Sequence, residues 1–515
     1  MVDARHRCTD EMPLAKETTV PLNILKERRV PPDRQSDHLQ GVEQGGLEST
    51  PGAPGFLSTI REAIRGSQED LTSAPLHRAV LLLATPVILE MSMESLFAIV
   101  DIFYVSRLGS EAVATVGLTE TMLSPVYAIS IGLSAGATAL IARRTGEKDP
   151  EGAATAAGQV ILVALAFAAL IGVGGVLLAP SVLSAIGASS DILTNGSTYA
   201  KTMLGGSLTI FLLFVFNAIF RSAGDAVIAM RSLWLANALN ILLAPLLVFG
   251  AGPIPAMGLL GAAVATTASR GVGVLYQVRI LSRGPRRPRL PFERRHLAPR
   301  PRVMFRLFRL ASTATIQVLI ETVSWLGLVR ILAMFGSMAV AGYTIAMRIT
   351  TFTLLPALGL ATSAATLVGQ NLGANAPERA RRSVHTIAIY NTAFLFVVGA
   401  TLALSPNPVI SLFTNDDGVI PFAADCLRIV AVGFVTFAYG MVMIQAFNGA
   451  GDPLTPMAIN LGAFWLLRVP LAYALAKGLG LGPHGVFIAI TASYSAQAIS
   501  AGILFRRGTW QRKRI

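Results

Sequence analysis

Beyond residue 75 the chain alternates between long apolar runs and short polar connectors. A helix needs about 20 apolar residues, at about 1.5 Å each, to cross a bilayer. Twelve runs reach that length: 79–105, 113–141, 157–179, 199–220, 231–251, 256–281, 307–333, 339–368, 384–405, 424–447, 457–477 and 484–505. They predict an all-α polytopic membrane protein with about twelve transmembrane helices. Residues 1–75 differ in kind, being rich in charge, Pro and Gly, with no sustained period beyond a short amphipathic stretch at Phe56–Ile64. That composition predicts a disordered polar N-terminal tail.

The pattern also repeats. Glu94 matches Glu321, Gly109-Ser110 matches Gly336-Ser337, and Gly146 matches Gly373. Pro150-Glu151 matches Pro377-Glu378, Gly224-Asp225 matches Gly451-Asp452, and Gly258 matches Gly485, all at one spacing of 227 residues. Six spans per repeat is an even number, so the two halves share one orientation: a parallel duplication about an axis along the membrane normal. The expected organisation is a tail (1–75), an N-terminal six-helix lobe (76–281), an Arg/Pro-rich cytoplasmic linker (282–306), a C-terminal six-helix lobe (307–505) and a basic cytoplasmic tail (506–515). Duplications of this kind place a transport pathway between or within the lobes, and rocking of the lobes gives alternating access.

Composition narrows the class. Hydrophobic residues make up 53% and charged residues 14%, where a soluble chain carries about 25% charged. The net charge of +13 gathers in one set of connectors: Arg143, Arg144 and Lys148; Arg221 and Arg231; the stretch Arg279–Arg309; Arg379, Arg381 and Arg382; and Arg506–Arg514. The alternate connectors, such as Leu183–Thr198 and Ser405–Val419, carry almost none. The positive-inside rule then places both termini in the cytoplasm of a multi-pass protein of the cell inner (plasma) membrane. The Arg-rich linker is read as a contact with membrane lipids of the inner leaflet, and no nucleic-acid partner is expected. Cys8 and Cys426 do not make a disulfide framework, and no cleavable signal peptide precedes the first span. His6, His38, His77, His296, His385 and His484 are scattered, with no two at metal-ligand spacing. With no phosphate loop or helix-borne His-Glu pair either, neither an enzyme, a cofactor nor an ATP-driven pump is expected, and the chain is expected to be a monomer.

The candidate chemistry lies in Ala84–Gly109, which is apolar enough to span yet carries Glu90, Glu94 and Asp101. At 100° per residue the three fall at about 0°, 40° and 20°, on one narrow stripe. An ionised acid costs roughly 2.5–3.5 kcal/mol at mid-membrane, so the stripe should face a protected cavity. Pro86 removes a backbone donor and permits a bend just before the acids. A carboxylate suits cation exchange because burial and neighbouring negative charge both favour its neutral form.

The runs VDIFYVSRLGSEAVATVGL, FRSAGDAVIAMRSLWLANALNILLAPLLVFG and FNGAGDPLTPMAIN, in that order and with the duplication, resemble the multidrug and toxic compound extrusion (MATE) family over residues 78–505. The resemblance implies an exporter driven by an inward H⁺ or Na⁺ gradient that expels organic, often cationic, compounds. Asp101 occupies the place of the family's first-helix Asp, which binds the coupling cation in prokaryotic members. Pro86 sits where that helix bends, and Asn217 and Asn240 resemble the amides around the Asp, so Asp101, Asn217 and Asn240 offer oxygens to Na⁺ as well as a carboxylate to H⁺. Ala244 stands where many relatives carry a further Asp, and Glu94 or Glu90 would substitute for it. In the C-terminal lobe, Glu321 in VLIETVSWL resembles the seventh-helix acid of another branch, whose tenth-helix Asp partner is missing here near Phe437.

Arg468, mid-span, pairs with an acid or meets an anionic headgroup, whereas Arg330 and Arg348 are expected to snorkel to an interface. Asp225 and Asp452 are expected to cap the helices that follow them. The rival function is a flippase for a lipid-linked sugar or other amphiphile. It would want a strongly cationic cavity, against which the central acids argue.

Overall fold

The computed structural model describes residues 55–67, 69–283 and 290–513. Residues 1–54 of the expected tail, 284–289 of the expected linker and the last two of the basic tail lie outside the described residues. Gly55–Ile515 is one compact unit. It begins with α1 (Phe56–Arg65) and continues as α2 (Leu76–Ser106), α3 (Ser110–Gly146), α4 (Pro150–Ala185), α5 (Ser197–Ser222), α6 (Ala226–Phe249) and α7 (Gly258–Leu281). The second lobe comprises α8 (Pro301–Phe335), α9 (Ser337–Gly373), α10 (Pro377–Leu404), α11 (Ile420–Val432 with Phe434–Gly449), α12 (Leu454–Gly478) and α13 (Pro483–Arg506). Among the described residues, eleven helices are long and apolar enough to cross a membrane, and the bent pair of α11 makes twelve.

The duplication is visible in the backbone. α3 and α9 are both 37 residues long. Each starts after a glycine in the left-handed region, Gly109 at φ 102° and Gly336 at φ 103°, which a side chain would strain. Each ends before the matched left-handed pair Lys148 (φ 58°) and Asn375 (φ 54°). α5 and α11 break at the matched glycines Gly206 and Gly433, and the halves of α11 meet at 55°. The repeats differ in detail: α12 contains two π segments, Leu461–Arg468 and Ala474–Gly478, where α6 is α-helical throughout. The Trp234 indole donates to the Leu89 carbonyl and the Trp465 indole to the Ile320 carbonyl, both at 3.2 Å. This is the same contact rebuilt one turn farther along.

The lobes meet along α2, α3, α8 and α9. At the end that carries the basic connectors they touch backbone to backbone. A Cβ on Gly146 would lie 1.9 Å from the Gln370 carbonyl oxygen, and one on Gly373 would lie 2.2 Å from that of Arg143. The Gln370 amide also donates to the Ser222 carbonyl at 2.9 Å. Toward the opposite end α3 exposes Gly117, Glu120 and Thr121, and α9 exposes Thr344, Arg348 and Thr351. The seam is therefore shut at the basic end, and the faces of α3 and α9 are free beyond it.

Residues 55–75 correct the expectation of a disordered tail through residue 75. α1 forms, and the segment after it is tied to both lobes. Arg78 holds Glu62 at 2.7 Å and also Glu69, and Arg231 donates to the Arg65 carbonyl at 2.9 Å. Lys148 pairs with Asp70, and Arg379 donates to the carbonyls of Leu71, at 3.0 Å, and Ala74. Partial burial alone would raise the Asp70 carboxyl, but Lys148 and the Thr72 hydrogen bonds outweigh it and hold it down to about 2. The described part of the linker is likewise packed on protein. Gln159 of α4 donates to the carbonyls of His296 at 3.0 Å and Ala298 at 2.9 Å, and the His296 ring meets Glu151 at 2.9 Å.

Candidate ion-coupling site

α2 carries the three acids on one stripe, but its neighbours divide them into two stations. Glu90 is fully buried. Its Oε1 accepts from Asn217 Nδ2 at 2.9 Å and from the Arg221 guanidinium at 2.8 Å. Gln277 completes the chain by donating to Asn217 Oδ1 at 2.6 Å. Arg221, which reads in the sequence as a connector residue, thus turns back into the lobe and supplies Glu90 with a fixed counter-charge.

Glu94 and Asp101 form the second station, one and three turns farther on. Arg270 of α7 is the cation that acts on both. Its guanidinium donates to the Tyr127 hydroxyl at 3.3 Å and lies 5.6 Å from the centre of the Phe97 ring. Buried Thr266 of α7 acts on Asp101, and Asp101 in turn acts on buried Tyr199 of α5. It therefore faces α5 and α7 inside the lobe. Glu120 of α3 also acts on Asp101, and Arg348 acts on Glu120, so the acids of this station lie in a field wider than that of Arg270.

α6 grips α2 beside these acids. Trp234 holds the Leu89 carbonyl, and Asn237 Nδ2 donates to the Met93 carbonyl at 3.1 Å. Both carbonyls lie within two turns of Pro86, whose ring already removes one helical hydrogen bond. Pro86 and the acids thus lie on one helix held by the same neighbour.

Several expectations need correcting. Asn217 accepts from Gln277 and donates to Glu90, so its hydrogen bonds go to the first station and not to Asp101. Asn240 is buried with neither side-chain polar atom partnered. Asp225 precedes α6 without making a side-chain cap, and Asp452 accepts from Thr455 at 2.8 Å and pairs with Lys513 at 3.2 Å. Arg330 and Arg348 are exposed, but Arg348 also acts electrostatically on Glu120 from the opposite lobe. Sequence reasoning missed Arg270, Gln277 and Glu120. Arg270 had a signal, a lone cation inside an apolar run, which is a functional candidate by default.

In the C-terminal lobe Arg468 is fully buried. Its Nε donates to Ser493 Oγ at 2.7 Å, and its guanidinium lies 4.0 Å over Phe464 and 5.2 Å from Tyr494. It acts on Glu321 of α8 without closing to ion-pair distance. Phe437, at the place of the missing partner acid, stacks on Tyr494 at 4.1 Å.

The MatE family model matches residues 86–246 and 314–474, one match in each lobe. A probable multidrug resistance protein NorM of Thermotoga maritima is 27% identical over 454 residues, covering 85% of this chain and 94% of the relative. An FAD transporter of Shewanella oneidensis is also 27% identical, covering 85% and 96%. The multidrug export protein MepA of Staphylococcus aureus is 23% identical, covering 84% and 94%. A transporter of the MOP superfamily from Pyrococcus furiosus, described as having a binding pocket of reverse polarity that suggests a different function, superposes with a TM-score of 0.81 at 26% identity, covering 86% of this chain and 98% of that one. An outward-facing multidrug resistance MATE transporter gives the same TM-score, identity and coverage.

Proposed function

Because this chain belongs to the MatE family, we propose that it is a proton-coupled antiporter that expels small organic cations by alternating access of its two lobes. The observation that carries this reading is the second station, where Glu94 and Asp101 of α2 both lie in the field of Arg270. A proton needs no coordination sphere, whereas Na⁺ needs several oxygens, and the hydrogen bonds of Asn217 go to Glu90 and Gln277. H⁺ is thus favoured as the coupling ion. Glu90, with its own arginine, holds α2 in place and does not exchange. Protonation of the Glu94–Asp101 station repacks α2 about Pro86, narrows the lobe interior and releases the cargo. By the positive-inside rule the basic end faces the cytoplasm, so the closed seam shuts that side and the free faces of α3 and α9 look outward, in a cell inner (plasma) membrane.

A second reading has an observation of its own. Arg270, Arg348 and Arg468 bring cations to or near the interior of both lobes, and the Shewanella relative is named for an anionic dinucleotide. That favours an anionic or amphiphilic cargo, including the lipid-linked substrate of a flippase. One experiment separates the readings: efflux of ethidium and of FAD from proteoliposomes under ΔpH or a Na⁺ gradient, applied separately. Ethidium efflux under ΔpH alone, abolished by Asp101→Asn, is expected. Unchanged ΔpH-driven efflux in that variant would refute the assignment of Asp101.

A further inference from the structure

The C-terminal lobe contains an imbalance that cation exchange in the other lobe does not use. Arg468 has no exposed surface. One of its five N–H groups is satisfied, by Ser493. Both terminal nitrogens are buried and have no partner. Tyr343 of α9, in whose field Arg468 lies, is also buried, and its hydroxyl is also without a partner. The walls are aromatic: Phe464 and Tyr494 lie against the guanidinium, and Trp325 and Phe487 flank Tyr343 at ring separations of 6.0 and 6.5 Å. Glu321, the carboxylate that acts on Arg468, stays beyond ion-pair reach.

A buried charge without a partner is among the most expensive arrangements in a protein. Here the two unpaired nitrogens are donors that cannot accept, the unpaired Tyr343 hydroxyl can donate as well, and the faces against the guanidinium are the rings of Phe464 and Tyr494. A multiply charged or bulky anion would need more counter-charge and more room than one guanidinium among packed rings supplies.

We propose that the C-terminal lobe holds a buried site for a compact monovalent anion, a halide or a single carboxylate group, bound by the Arg468 guanidinium and the Tyr343 hydroxyl. Glu321 is the competitor for the same guanidinium, so the site is strongest when Glu321 carries no charge. The proposal does not depend on which ion drives the N-terminal lobe.

The test is equilibrium binding of radiolabelled chloride to the full chain in nanodiscs, with gluconate as the replacing anion. Saturable binding of one chloride per chain is expected. Arg468→Met should lose it, Tyr343→Phe should weaken it while leaving the chain monodisperse, and Glu321→Gln should lower the dissociation constant because a repelling charge is gone. Displacement by acetate extends the site to the carboxylate end of a cargo molecule, and resistance to acetate limits it to halides; either result supports an anion site. No saturable chloride binding to the parent chain overturns the proposal. So does chloride binding that is unchanged in both Tyr343→Phe and whichever Arg468 variant, Met or Lys, remains folded.

Discussion

Replacing Glu90 by Gln leaves the Arg221 guanidinium facing a neutral amide. Removing one partner of a buried ion pair costs about 3–5 kcal/mol, because the remaining charge is uncompensated. Glu90 is fully buried, while the Arg221 side chain retains 15% exposure, so some hydration survives and the low end, about 3 kcal/mol, applies. With a melting shift of about 2 °C per kcal/mol for a large chain, the variant should melt about 6 °C below the parent. Glu90→Gln combined with Arg221→Met removes both charges and should recover most of that loss, since neutral replacement of a whole buried pair is often tolerated. The assay is thermal unfolding in one detergent, followed by loss of the monodisperse peak, for the parent, both single variants and the double variant. Protein that survives in the Glu90→Gln sample should still couple efflux to ΔpH. A single variant as stable as the parent, or a double variant no better than the single, would refute the pairing argument.

Pro86→Ala restores a helical hydrogen bond within α2 and should slow ΔpH-driven efflux severalfold without lowering stability; export at the full rate counts against coupling through that proline. Gly146→Ala puts a methyl group into the Gln370 backbone, which has no side chain to move aside, so spin labels on α3 and α9 near that end should move apart, and an unchanged distance contradicts the seam as described. The Asp70 carboxyl is held at about 2, below its usual 3.8, so its pairing with Lys148 contributes stability above that usual value and loses it as the pH falls toward 2. Pepsin cleavage between residues 55 and 75 should therefore rise over that interval relative to Asp70→Asn, and parallel curves for the two proteins would exclude the pairing.

The spans and the duplication were legible because bilayer thickness and matched glycines act on the sequence directly. Gly109 and Gly336, for instance, occupy a backbone region that other residues avoid. The stripe of Glu90, Glu94 and Asp101 was legible for the same reason: helical rotation alone puts them on one face. Which cation serves which acid was not. That depends on how α5 and α7 are rotated against α2, and nothing in the order of residues says that Arg221 folds inward or that Asn217 turns to Glu90 instead of Asp101. The π segments of α12 were hidden too, since they change the winding of the helix without changing its composition. α1 is short, and its apolar residues Phe56 and Leu57 remain exposed; it is held by the burial of Ala63, the pairing of Glu62 with Arg78 and the hydrogen bond from Arg231 to the Arg65 carbonyl, partners that a local reading does not see.

The segment ahead of the first span lies across the seam like a buckle. It is fastened to one lobe through Arg231 and Lys148 and to the other through Arg379. Parting the lobes at that end means undoing one set of these fastenings, whereas movement at the far end leaves them intact. Separation at this end therefore breaks contacts that separation at the other end would spare.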